Sequence, residues 1–165
     1  MHIGSRFAVI IFVLLLPFSA LACSCFAPDG GSFEDEIAAH DAVFTAVIVA
    51  TEKLEDGAHP YQLTEVRVAK VWKGKRLTHT AFIKTEIEQS SCGGEAPTVG
   101  ALYLIYATEF ELERYSTGGC STFMNLDAVA AELKTVSAEE RAEWKARFAE
   151  LWATLGEPNV VFEQP

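Results

Sequence analysis

Two cysteines one residue apart, Cys23-Ser24-Cys25, stand where an export signal would end, and only two more follow, Cys92 and Cys120. Thiols so spaced can bind a metal or pair as disulfides, and the compartment decides which. Residues 7–18, FAVIIFVLLLPF, form an apolar run behind Arg6, and Ala20-Leu21-Ala22 supplies the small-x-small pattern of a signal peptidase site. The run is too short to span a bilayer as a mature helix. Residues 1–22 are therefore expected to be a signal peptide, and the chain to be exported, periplasmic or extracellular. In that setting the cysteines read as two disulfides, with three connectivities to choose from. A Cys23–Cys25 bond would close a very small strained ring. Each member of the pair is then expected to reach a distant partner, one Cys92 and the other Cys120. In the chain-entropy picture, closing a loop of about 70 residues contributes roughly 4 kcal/mol.

Cleavage after Ala22 would leave Cys23 with a free α-amine, whose usual pKa near 8 keeps a useful fraction neutral. That nitrogen and the carbonyl oxygen of the same residue can close a chelate ring on one metal ion. With both sulfurs bridged no thiolate competes, and the bridges hold amine and carbonyl on a rigid wedge. A catalytic zinc with three protein ligands keeps one open position, which a preformed wedge could take. Little else in the chain suggests chemistry. There is no HExxH, GxSxG, P-loop or GxGxxG pattern. His40, His59 and His79 are isolated and read as surface or helix-end residues, and no spacing of carboxylates nominates an acid/base pair. The chain is not expected to be an enzyme or to carry an intrinsic cofactor. The leader holds one of the 13 Lys and Arg and none of the 23 Asp and Glu, so the mature chain would carry a formal charge of −11. Such a surface repels phosphate backbones and anionic lipid, which argues against a nucleic-acid partner.

The elements that must position this N-terminus follow from periodicity and turn signals. After the irregular FAPDGG, Ser32 can cap a short helix near 33–40 with Phe33 and Ile37 one turn apart. Residues 42–51, AVFTAVIVAT, read as a strand buried on both faces, and EKLEDGAHP as a turn, on Asp56-Gly57 and Pro60. Residues 61–72 return as a long strand whose apolar phase slips between Leu63 and Val66, as a bulge there would cause. A third strand is expected at about 79–85, a central one at 100–107 and a fifth from about 116 to 124 through Cys120. Glu86 to Val99 reads as a polar loop holding Cys92. Five strands of this length with turns between them suggest a small closed barrel. Asn125 can cap a helix over 126–134. Ser137-Ala-Glu-Glu140 is a capping box for a final helix with Trp144, Phe148, Leu151, Trp152 and Leu155 on one stripe, ended by Gly156 and Pro158. That stripe reads as core packing.

These residues carry a resemblance. Cys23-Ser24-Cys25 at the mature start, Val71-Trp72-Lys73-Gly74, Ser91-Cys92-Gly93, Gly100 with Tyr103-Leu104, and Cys120-Ser121 occur in an order and spacing similar to the N-terminal domain of the tissue inhibitors of metalloproteinases (TIMPs), of the netrin-like family, in a short bacterial form. The resemblance implies an α+β, mainly β fold, a five-stranded OB-fold barrel over residues 23–126, followed by a C-terminal helical extension, 127–165, packed on the barrel. It implies the bridges Cys23–Cys92 and Cys25–Cys120, and Cys23 as chelator of the zinc of a target metalloprotease. It also implies Ser24 entering the protease's primary specificity pocket, with Phe26, Ala27, Pro28, Ser90 and Ser91 completing the wedge. The function so implied is secreted metalloprotease inhibition, the zinc being contacted in trans. Two other readings use the same residues. CxC can be only a double staple in an exported netrin-like interaction module, or Cys23 can be the lipid anchor of a lipoprotein. The anchor is the weaker reading, since it would leave an odd cysteine and Ala20 stands where a lipobox usually has Leu.

Overall fold

The computed structural model describes residues 32–56, 59–86, 97–111, 114–117 and 123–163. In chain order they form α1 (Phe33–Ala39), β1 (Ala42–Asp56), β2 (His59–Lys73), β3 (Thr80–Glu86), β4 (Leu102–Glu111), β5 (Arg114–Thr117), β6 (Phe123–Asn125), α2 (Leu126–Glu132), α3 (Ala138–Leu155) and β7 (Val160–Val161). The result is a mixed α+β chain, mostly sheet, with a long C-terminal helix.

The strand pairings return to their starting point. β1 pairs β2, β2 pairs β3, β3 pairs β5 in parallel, β5 pairs β4, and β4 pairs β1. All five contribute to one buried cluster, including Phe44, Ile48, Val66, Val68, Ile83, Ile105 and Tyr115. β1 and β4 bury their other faces too. Val43, Leu104 and Tyr106 meet Leu151 of α3, with Phe33 and Ile37 of α1 and Phe148 and Leu155 packed around them. Of the run expected to be buried on both faces, 42–51, only Ala42 to Ala46 is, whereas Val49 and Ala50 are exposed.

Helix ends follow their local signals. Ser32 and Asp35 form a capping box on α1, Asn125 caps α2 through Ala128 N, and Ser137 with Glu140 boxes α3, which stops at Gly156. Along the final helix the expected stripe divides. Leu151 is fully buried, Phe148 and Leu155 are half-buried, and Trp152 stays exposed against Trp72. Trp144 stacks on Phe148 and lines a shallow pocket with Val129, Leu133 and Val136.

Four expectations need correction. The stretch 52–60 is mostly strand rather than turn. β1 and β2 pair as far as Asp56↔His59, and only residues 57–58 lie between them. Pro60, read as a turn residue, instead pairs with Glu55 in this antiparallel ladder. Second, no bulge lies in β2 between Leu63 and Val66, since β2 runs in unbroken register with β3 from Tyr61 to Arg67. The phase slips because the inward positions are polar: Gln62 and Thr64 are buried in line with Val66 and Val68. The extra residue opposite is Val49 of β1, and a bulge in β2 itself falls later, at Ala69. Third, the single strand expected over 116–124 is two, β5 and β6, both against β4. Fourth, β7 adds an unexpected pairing to β2, with Lys70↔Val161 and Val71↔Val160.

Candidate functional site

Every residue of the expected wedge, Cys23, Ser24, Cys25, Phe26, Ala27, Pro28, Ser90 and Ser91, lies outside the described residues, as do Cys92 and Cys120. The two implied bridges therefore lie outside them as well. The structure describes the frame from which these segments leave. β3 and β5 run parallel and side by side, from Phe82↔Arg114 to Thr85↔Thr117. The Thr85 and Thr117 hydroxyls lie 2.8 Å apart and share a hydrogen bond. The segment holding Cys92 continues from the end of β3, and the one holding Cys120 continues from the end of β5.

That end of the buried face is polar. Gln62, opposite Thr85, donates from Nε2 to Thr64 Oγ1 at 3.3 Å, and Gln62, Thr64 and Thr117 are all buried. The slip at Leu63–Val66 was the one signal of this set in the sequence.

The chain returns from the Cys92 segment under tight control. Thr98 N donates to the Tyr103 hydroxyl at 2.9 Å, and Asn125 Nδ2 donates to the same oxygen at 2.9 Å. Gly100, at φ +85°, donates its N–H to Ile48 O at 2.8 Å. Leu102 N donates to Asp127 Oδ2 at 2.8 Å. Tyr103 thus ties the start of β4 to the start of α2.

At the opposite end of the strands, Val71-Trp72-Lys73-Gly74 is wholly structural. Val71 is in the buried cluster shared by the strands. Trp72 Nε1 donates to Gly156 O at 2.8 Å, and its ring lies 5.7 Å from that of Trp152. Lys73 Nζ donates to Ile37 O and Ala38 O, each at 3.0 Å, closing the C-terminus of α1. Gly74 has φ +125°, and a Cβ there would sit 2.8 Å from Leu77 Cδ1 and 3.3 Å from Ala42 Cβ. Only glycine meets both demands.

The titratable groups take supporting roles. His40 Nδ1 donates to Glu36 O at 2.8 Å, and its ring lies 5.5 Å from Tyr106. Burial first, and the charge of Glu36 second, push the Tyr106 phenol well above its ordinary range, so it stays neutral. Donation from the Ser137 side chain and backbone holds the exposed Glu140 carboxyl below the usual carboxylate value. His79 packs edge-on to Phe162 at 5.7 Å, and the side chain of His59 lies outside the described ones. Among the described residues no group of three or more His, Cys, Asp or Glu is disposed to hold a metal ion. No described helix is long and apolar enough to cross a membrane. No family model matches the chain, and no curated protein matches it.

Proposed function

We propose that the mature chain is an exported five-stranded OB-fold protein of the TIMP and netrin-like type, and that it inhibits a zinc metalloprotease in trans. In this reading Cys23 is the first mature residue and is bridged to Cys92, Cys25 is bridged to Cys120, and the Cys23 amine and carbonyl chelate the target's catalytic zinc. Ser24 enters the specificity pocket, flanked by Phe26, Ala27, Pro28, Ser90 and Ser91. The observation that carries the reading is the circuit β1-β2-β3-β5-β4-β1 with its parallel β3–β5 pair. A ring of five strands in this order is what an OB-fold barrel requires. The neighbouring ends of β3 and β5 supply adjacent roots for the Cys92 and Cys120 segments, which one short CxC could then staple together. A chelator of this kind needs rigidity, because ordering a loose segment on binding would consume most of the gain.

The test compares the mature protein beginning at Cys23 with a form carrying one alanine before it, against a panel of zinc peptidases. The extension converts the chelating amine into an amide, which should weaken inhibition by about two orders of magnitude or more while leaving thermal stability unchanged. Equal potency of both forms would remove chelation by the leading residue, and inactivity of the mature form across the panel would remove inhibition altogether.

A further inference from the structure

We infer that the C-terminal segment, from α3 through β7, is a brace that fixes the position of α1, with Lys73 as its fastening point. Its consequence for inhibition rests on the reading above; the brace itself does not.

α1 has seven residues, too few to hold its shape in water unaided. It has three acidic residues in its first turn and no basic residue in its last, so its C-terminal carbonyls lack a cation of their own. Lys73 of β2 supplies one, donating to Ile37 O and Ala38 O. The residue beside it is held from the C-terminal segment. Trp72 donates to Gly156 O and packs on Trp152, Asn159 N donates to Val71 O at 2.7 Å, and Asn159 Nδ2 donates to Trp72 O. A second route is apolar, since Phe33 and Ile37 of α1 share one cluster with Phe148, Leu151 and Leu155 of α3. Both routes join the same two helices, one at the carbonyl end of α1 and one along its half-buried face. Seven residues separate Cys25 from the start of α1, so whatever holds α1 also limits where the leading segment can go. By this account the C-terminal helix does more than cover the sheet: it aims the opposite terminus.

The experiment is hydrogen exchange on the mature, disulfide-intact protein, following peptides from 33–40 and, as a control, from 42–48 and 102–107. Lys73→Met keeps the stem and removes the donors, and should speed exchange at 33–40 about tenfold with the controls unmoved, whereas Lys73→Arg should stay near the parent. Phe148→Ala, at a half-buried site on α3, should loosen the same peptides. Parental protection of 33–40 in both Lys73→Met and Phe148→Ala overturns the brace. Inhibition is read separately: if the parent inhibits, Lys73→Met should weaken it about tenfold, and unchanged inhibition with a loosened α1 overturns the aiming role. A parent that inhibits nothing removes the functional reading, and the exchange data still decide the brace.

Discussion

Tyr103 accepts two hydrogen bonds on one hydroxyl oxygen, from Thr98 N and Asn125 Nδ2, and so anchors both the start of β4 and the cap of α2. Tyr103→Phe keeps the ring, which meets Phe123 edge-on at 5.8 Å, but leaves two donors without their acceptor. The expected cost is about 2 kcal/mol, read from the urea midpoint with the slope unchanged. Gly74→Ala should cost as much again, about 2 kcal/mol, because it adds a left-handed backbone penalty to a contact with Leu77. A midpoint within experimental error of the parent would show that the turn can relax, contrary to the geometry. As residues, Trp72, Lys73, Gly74 and Tyr103 were legible as a pattern in the sequence. Their jobs were not. Lys73 meets carbonyls 35 and 36 positions away, and Trp72 meets one 84 positions away, and no local signal records such partners. Gln62 and Thr64 were misread for a related reason: a polar residue facing inward looks, in one dimension, like a shift of phase.

At the scale of elements, the helices were read accurately because their ends are governed by short-range chemistry. Ser137 and Glu140 start α3 and Gly156 stops it, each acting within one turn. Strand extents were harder, since pairing decides them. Glu52 to Asp56 carries charges that disfavour a strand, yet it pairs residue for residue with His59 to Leu63. β7, two residues long, exists only because β2 offers it an edge at Lys70 and Val71. The stripe on α3 also shows that periodicity identifies a face without ranking its members. Leu151, at 1 % exposure between Val43, Leu104 and Tyr106, should carry most of the docking energy. Leu151→Ala is expected to cost about 3 kcal/mol by denaturant titration, and Trp152→Ala, at a site left 37 % exposed, clearly less. Equal costs would mean that the helix is held by its rim rather than by this contact.

For the whole molecule, five strands were anticipated and the sheet has seven, because the fifth divides and β7 is added, and the order in which they pair became visible only in the pairings. The parallel pairing of β3 with β5 joins segments 32 positions apart, a relation that turn signals cannot express. It is also the relation on which the proposed function rests, because it sets the ends of β3 and β5, from which the Cys92 and Cys120 segments continue, beside each other. The proposed division of labour is then between a ring of strands that fixes those ends, a C-terminal brace that fixes α1, and a leading cysteine that does the chemistry. The most direct test looks at the metal itself. A target peptidase with cobalt in place of its catalytic zinc reports its ligands in its visible spectrum. Adding mature protein that begins at Cys23 should change that spectrum with one-to-one stoichiometry, as nitrogen and oxygen from the inhibitor join the cobalt, and the alanine-extended form should leave it unaltered. Inhibition accompanied by an unchanged cobalt spectrum would contradict the account.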